Sequence, residues 1–358
     1  MLKCRLCNAT YPDVFRLKCD CGGVLDVIHE FEESFEELLK KEHMDIRRYL
    51  NLLAMKEEFA PSITPPITPL IEKIFKWTKV SFKLEYLMPS GSFKDRGTYV
   101  TIAKLKEEGI REVSLDSSGN AAISLALFGR SEGIKVHVFI PKNTSEGKKK
   151  ILKLLKAEIH EVEGSRMETH EKAKEFRGAV YVSHWYNPYF LEGTKTFAYE
   201  AFEGGGKFDY AIIPAGSGTL LLGAYRGFKE LQKLRKLKEV PKLIAVQAGG
   251  FESLVERSRE KNMLAEGIAI PEPPRKAQMM KVIRETEGAV ISVSEEETRD
   301  AWEDLVSMGF LVESTSAVAF AAFKKLLKKG FFEEEARVLM PLTGSGLKNV
   351  DIMMKIFS

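Results

Sequence analysis

From Val80 onward, short apolar runs alternate with helical patterns, and this alternation restricts the fold more than any other feature of the chain. The runs fall at 80–87, 112–115, 135–140, 158–162, 179–183, 210–214, 242–247, 289–293 and 337–341, with helical segments of ten or more residues between most of them. Such a pattern predicts an α/β fold built on parallel sheets. Ligands of these sheets gather at the carboxyl ends of the strands, where loops lead into helices. Before Val80, an amphipathic helix pair is expected over about 35–59, and Pro61, Pro65, Pro66 and Pro69 mark an extended linker. A chain of 358 residues is long enough for two domains.

The strand-end loops carry the chemistry. Lys94 lies in Pro89-Ser90-Gly91-Ser92-Phe93-Lys94-Asp95-Arg96-Gly97, between the 80–87 run and a helical pattern over about 93–108. A cation at a helix start opposes the helix dipole, and burial there would favour the neutral, nucleophilic amine of a Schiff-base lysine. Asp116-Ser117-Ser118-Gly119-Asn120 closes the next strand and opens a helix. Ser117, Ser118, Gly119 and Asn120 leave backbone N–H groups for an anion such as a substrate carboxylate, although serine and asparagine also serve as ordinary helix caps. The Asn120 amide is placed to bond an oxygen of a bound cofactor. Gly216, Ser217, Gly218 and Thr219 form a glycine-rich turn with the character of a phosphate cup, without the spacing of a Walker A or Rossmann loop. Thr343, in Leu342-Thr343-Gly344-Ser345-Gly346, could set a hydroxyl beside a ring nitrogen. One cofactor would use all four loops. Pyridoxal phosphate needs an amine, a phosphate cup, a partner for its ring oxygen and a partner for its ring nitrogen.

All four cysteines, Cys4, Cys7, Cys19 and Cys21, fall at the N-terminal end, which excludes a disulfide framework for the whole fold. Two close pairs beside Gly22-Gly23 suggest a structural four-thiolate zinc site, although the second pair has one intervening residue where two are usual. Reduced thiols without metal are the alternative. A net charge of +3, with acids and bases interspersed, excludes a nucleic-acid footprint and a membrane surface. The run Lys148-Lys149-Lys150 is expected as a solvated helix face. No apolar run reaches a membrane span and no leader pattern opens the chain, so the expectation is a cytoplasmic protein. Glutamine occurs only at Gln232, Gln247 and Gln278 while Lys and Glu abound, a bias of heat-loving sources.

These motifs together resemble the threonine synthases, within the tryptophan-synthase-β-like (fold type II) family of pyridoxal-phosphate enzymes. PSGSFKDRG resembles the family's lysine motif and SSGNAA its asparagine loop, and AEGIAI (265–270), ETEGAVISVSEEE (285–297), VESTSA (312–317) and LTGSGLK (342–348) are similar to family segments. The resemblance implies that Lys94 forms the Schiff base and moves protons. It implies that Asn120 contacts the ring hydroxyl, that the 216–219 turn holds the phosphate and that Thr343 faces the pyridine nitrogen. It also implies two open parallel-sheet domains, with a ribbon at 1–30, a large cofactor domain from 31–98 and 190–358, and a small domain at 99–189. The implied assembly is a homodimer and the implied reaction converts O-phosphohomoserine and water to threonine and phosphate.

Two departures bear on the substrate. The run from Pro61 to Leu70 lacks the Gly-Glu-Gly usual before Thr-Pro-Leu in the family. A second family segment, Asn-Ser-x-Asn-Pro-x-Arg-x-Glu-Gly, is associated with the substrate phosphate; here His184-Trp185 replace Asn-Ser and Phe190 stands in the arginine position. A phenyl ring cannot replace a guanidinium, and losing one such contact costs about 2–5 kcal/mol. The competing readings are therefore the same machinery acting on serine, threonine or another β-substituted amino acid, or a silent relative serving as an interaction module.

Overall fold

The computed structural model describes residues 1–357 apart from Ser118, Asn143, Ser145 and Ser165. In chain order its elements begin with strands β1 (Leu2–Cys4), β2 (Thr10–Tyr11) and β3 (Leu25–Val27), helix α1 (Phe35–Leu38), and strands β4 (Leu70–Phe75) and β5 (Thr78–Lys83). Alternation follows: α2 (Lys94–Glu107), β6 (Glu112–Leu115), α3 (Asn120–Ser131), β7 (Lys135–Pro141), α4 (Glu146–Leu154), β8 (Glu158–Val162), α5 (Arg166–Glu175), β9 (Val180–Tyr181) and α6 (Pro188–Gly205). The chain ends with β10 (Tyr210–Pro214), α7 (Thr219–Lys233), β11 (Lys242–Ala248), α8 (Lys276–Glu285), β12 (Ala289–Val293), α9 (Glu295–Ser307), α10 (Ser314–Lys328), β13 (Arg337–Pro341) and α11 (Val350–Phe357).

The chain divides into two compact units, Met1–Pro66 with Met88–Thr194, and Ile67–Leu87 with Lys195–Ser358. The first contains a parallel sheet in the order β8-β7-β6-β9, and a small antiparallel sheet in the order β2-β1-β3. Its core joins the two: Leu2, Cys4, Leu25 and Ile46 share one apolar cluster with Tyr99, Val100 and Leu105 of α2 and with Val113 and Val138. The second unit is built on a sheet in the order β12-β11-β10-β13-β5-β4, parallel except for β4. The α9–α10 pair packs on it, with Trp302 wholly buried and its Nε1 donating to the Val312 carbonyl at 2.7 Å.

The parallel α/β architecture agrees with the sequence pattern, with several local differences. The 80–87 run is a strand only to Lys83 and then a single turn of 3-10 helix, Glu85–Leu87. β4 has no counterpart among the expected strands; it turns back on β5 through Lys76, whose φ of 56° is left-handed, and forms the sheet edge. Instead of a helix pair over 35–59, α1 is four residues long, followed by 3-10 turns at Ile46–Leu52 and Glu57–Phe59. These tighter turns aim Ile46, Tyr49, Leu50 and Leu52 inward. Residues 31–66 and the Lys94 turn fall in the first unit. Ser62 binds Glu132 through both its N–H and its hydroxyl, each at 2.6 Å, and Ile46 enters the α2 core, so this segment is held by the smaller sheet's neighbours. Lys149 is not part of a solvated face. It is 5% exposed, and its Nζ donates to Glu161 Oε2 at 2.9 Å and to the Lys142 carbonyl at 3.1 Å.

Across the first unit's sheet, His137 Nε2 donates to Glu112 Oε1 at 2.6 Å, and its Nδ1 pairs with His160 Nε2 at 2.9 Å. His160 stacks on Phe139 with centroids 4.4 Å apart. Burial, then the adjacent His137, hold His160 below its ordinary 6.5. A folded-state value below the unfolded one means that the unfolded chain takes up the proton first, so stability rises with pH up to the unfolded value. The thermal midpoint should therefore rise between about pH 5 and pH 7, and a smaller rise is expected in His160→Gln. Circular dichroism melts across that range check both.

Candidate active site

Each unit presents the carboxyl ends of its own parallel strands, and the candidate residues divide between them. In the first unit, the turn before α2 is shaped by Gly91, whose φ of 74° only glycine adopts without strain, and by Asp95, which accepts the Ser90 N–H at 2.6 Å. Lys94 is the first residue of α2 and is half-buried. Its Nζ lies 4.6 Å from the centroid of Phe93 and 5.7 Å from that of Phe190. Ser92 is wholly buried, and its hydroxyl has no hydrogen-bond partner among the described residues. A buried hydroxyl left unsatisfied costs stability, so an orphan two residues from Lys94 fits a polar group bound there.

Two glycines set the approach of α6 to this turn. A Cβ on Gly97 would stand 2.5 Å from the Phe190 ring, and one on Gly193 would stand 1.8 Å from the Arg96 carbonyl oxygen. Phe190 is therefore pressed on the first turn of α2 and is 3% exposed. Its other neighbour is His184, with ring centroids 5.6 Å apart. Phe190 and His184 line, with Thr98, Leu115, Ala121 and Val182, a cavity of about 10 Å³, room for one water.

The asparagine loop leaves β6 through Asp116, a residue 7% exposed. Tyr181 donates its hydroxyl to one carboxylate oxygen, and His170 Nδ1 lies 3.1 Å from the other. Ser117 is buried and its hydroxyl accepts the Gly119 N–H at 3.4 Å; Asn120 opens α3. Ser118 lies outside the described residues. A Cβ on Gly119 would meet nothing within 4 Å, so the backbone before α3 faces open space there. Burial, then the Asp116 carboxylate, push the Tyr181 hydroxyl far above its ordinary range, which keeps it a proton donor.

In the second unit, the 216–219 turn follows β10. A Cβ on Gly216 would come within 2.7 Å of the Ile268 Cα, and Gly218 has a φ of 80°, so both positions require glycine. Ser217 and Thr219 are buried with their hydroxyls 3.3 Å apart, and Thr219 opens α7. Hydroxyls and backbone amides at a helix start form an anion cradle. Thr343 follows β13 and is 3% exposed; its hydroxyl lies 3.0 Å from Ser316 Oγ, which also accepts the Gly344 N–H at 3.0 Å.

The four cysteine sulfurs lie within 4.8 Å of one another. Cys4 and Cys21 are 3.6 Å apart, and Cys7 and Cys19 are 3.5 Å apart. Zinc held by four thiolates at about 2.3 Å spaces them about 3.8 Å apart, so the set fits that ion. The Leu6 N–H donates to Cys4 Sγ at 3.3 Å, and the Tyr11 hydroxyl lies 2.9 Å from Cys19 Sγ and draws that thiol down to about 6. A Cβ on Gly23 would lie 2.7 Å from Cys4 Sγ, so only glycine closes this loop.

Several of these groups were not foreseen. Ser92 lies inside a motif read for its lysine, and Ser316 inside VESTSA, a segment with no assigned chemistry. Asp116, His170 and Tyr181 carry no local signal, because they meet only through the sheet.

A family model described as pyridoxal-phosphate dependent enzyme matches residues 65–344. The threonine synthase of Methanocaldococcus jannaschii is 31% identical over 384 residues, spanning 99% of this chain and 94% of that protein. The threonine synthase of Methanosarcina acetivorans is 30% identical and spans 99% of this chain and 94% of its own length. Among solved structures, a pyridoxal 5'-phosphate-dependent aspartate racemase matches with a TM-score of 0.71 at 23% identity, over 92% of this chain and 100% of that one. Maize serine racemase matches with a TM-score of 0.68 at 22% identity, over 81% of this chain and 92% of that one. At such identities the structural matches speak for the fold.

The contact between α2 and α6 yields a direct expectation. Gly97→Ala should lower stability by about 1–3 kcal/mol through collision with the Phe190 ring. The double variant Gly97→Ala, Phe190→Ala should lose less than the sum of the two single losses. Denaturant midpoints of the three variants measure this.

Proposed function

The chain belongs to the pyridoxal-phosphate dependent enzyme family, and on that premise we propose that it is a lyase of the threonine synthase kind, converting O-phosphohomoserine and water to threonine and phosphate. The observation that carries this reading is near full-length likeness to threonine synthases in a chain whose Lys94 opens α2 beside the orphan hydroxyl of Ser92. Bound pyridoxal phosphate would supply an electron sink for charge developing at the substrate α-carbon. Lys94 Nζ would hold the cofactor through its aldehyde carbon and, once the substrate's amine has displaced it there, the freed amine would take and return the α-proton. The 216–219 turn would hold the cofactor phosphate, Asn120 its ring hydroxyl and Thr343, whose hydroxyl lies beside Ser316 Oγ, its ring nitrogen. A neutral hydroxyl at that nitrogen does not enforce ring protonation, which suits elimination and replacement more than transamination. Ser117, Ser118, Gly119 and Asn120 hold the substrate carboxylate at the start of α3.

A second reading has its own support. Phe190 is buried with its ring toward Lys94 Nζ, His184 packs against it and Trp185 against His184, where the resemblance places a phosphate-binding segment. That lining favours a substrate with a short, uncharged side chain, such as serine or threonine, and hence a dehydratase or β-replacement enzyme. Assays on O-phosphohomoserine, threonine, serine and O-phosphoserine separate the two. Threonine formed with stoichiometric phosphate supports the first reading, and turnover of serine or threonine alone replaces it with the second. In either case Lys94→Ala should lose the visible absorbance of lysine-bound cofactor and at least about 10³-fold in kcat.

The reading extends to a zinc-bearing ribbon and a cytoplasmic homodimer of heat-loving origin, supported by the four-sulfur geometry, the family resemblance and the scarcity of glutamine. Among the described residues no helix is long and apolar enough to cross a membrane. Elemental analysis should find one zinc per chain, lost in Cys4→Ser, and sedimentation should give twice the chain mass. A metal-free native protein would remove zinc from the account.

A further inference from the structure

We propose that the cysteine ribbon is a positioning element for Lys94, acting through the first turns of α6. This deepens the reading of Lys94 as the cofactor lysine and rests on it. Every contact in the argument lies within the first unit.

Helix α6 is gripped along two stripes. Tyr189 and Glu192, one turn apart, are both fully buried and both reach the N-terminal segment. The Tyr189 hydroxyl lies 2.7 Å from Asp13 Oδ1 and 2.8 Å from the Val14 carbonyl, and Phe15 stacks on its ring at 6.2 Å. His29 Nε2 donates to Glu192 Oε2 at 2.5 Å. Phe190 and Gly193 form the second stripe, about 100° round the helix. They are the residues that press on Gly97 and on the Arg96 carbonyl, in the turn that Lys94 opens.

The link therefore runs from the ribbon to α6 and from α6 to the Lys94 turn. Asp13, Val14 and Phe15 stand between the two cysteine pairs, and His29 follows β3, which pairs with β1 through the Cys4↔Leu25 register. A ribbon this small draws its order from metal and from the core it joins. Lys104 of α2 completes the clamp: its ammonium lies 3.4 Å from Asp13 Oδ2 and 5.2 Å from the Tyr189 ring centroid. Glu192 is the sensitive point, because a fully buried carboxylate that loses its histidine donor is less well compensated, which favours a shift of α6. Movement there is passed to Phe190 and Gly193, since neither contact with α2 has slack.

The test uses the full chain loaded with zinc and pyridoxal phosphate, and the variants His29→Ala, His29→Gln and Tyr189→Phe. The readouts are kcat and KM on the substrate found by the panel, the visible band of lysine-bound cofactor, and amide hydrogen exchange at residues 97–101. Positioning predicts that His29→Ala lowers kcat about tenfold with KM changed less than about threefold. It also predicts faster exchange at 97–101, recovery of both in His29→Gln, and the same exchange change when a chelator removes zinc from the wild type. If His29→Ala and Tyr189→Phe keep wild-type kcat, band and exchange, the inference is overturned. A merely structural role would lower the melting temperature of His29→Ala while leaving kcat of the folded fraction unchanged, and that outcome overturns it too. Absence of the visible band in the wild type would remove the cofactor reading instead, and the exchange readout alone would then decide whether the ribbon orders α2.

Discussion

The surroundings of Lys94 depend on how closely α6 approaches the first turn of α2. Helices normally keep their axes 8–10 Å apart because side chains stand between them. Here Gly193 meets the Arg96 carbonyl and Gly97 meets the Phe190 ring, and neither site has room for a methyl group. The absence of two Cβ atoms thus lets an aromatic ring settle beside Lys94 Nζ. Asp95 and Arg96 of the same turn are fully buried. The asparagine loop is fixed from another direction, by the grip of His170 and Tyr181 on Asp116 at the end of β6.

Interior charge elsewhere follows the same logic of complete pairing. Lys83, at the end of β5, is 1% exposed and donates to Glu200 Oε2 at 2.7 Å and to the Thr68 carbonyl at 2.6 Å. Thr68 in turn donates its hydroxyl to Glu85 at 2.8 Å. This network anchors the later turns of α6 within the second unit, as Tyr189 and Glu192 anchor its first turns within the first. Satisfied networks of this kind rigidify their surroundings, whereas removing one member would leave a buried charge uncompensated. Neither network supplies the chemistry. Both hold in place a helix that presents residues to the lysine turn at one end.

Much of the fold was legible from periodicity. The parallel strands from β6 to β13 were each marked by a short run, clearest where burial on both faces makes it apolar, as in β10 and β11. β4 escaped because an edge strand is partly exposed, and its six residues, LIEKIF, show neither a continuous apolar run nor a clean alternation. The 35–59 segment misled because 3-10 turns bury residues at spacings that overlap those of an amphipathic helix. Lys149 misled because composition cannot tell which of three adjacent lysines faces inward; a rotation of about 100° per residue decides it.

What the sequence by itself determined is local: the lysine turn, the glycine-rich 216–219 loop, the start of α3 and the cysteine quartet. Each is written in neighbouring residues, because backbone geometry at a turn or helix start depends on a few consecutive side chains. The family, and with it the cofactor, followed from these. Only the tertiary structure decided what surrounds them: Phe190 on Gly97 and toward Lys94, Asp116 between His170 and Tyr181, Ser316 behind Thr343, and His29 on Glu192. These contacts join distant parts of the chain through sheet order and helix crossing, and such long-range packing leaves no local signal for a reader of the sequence to find.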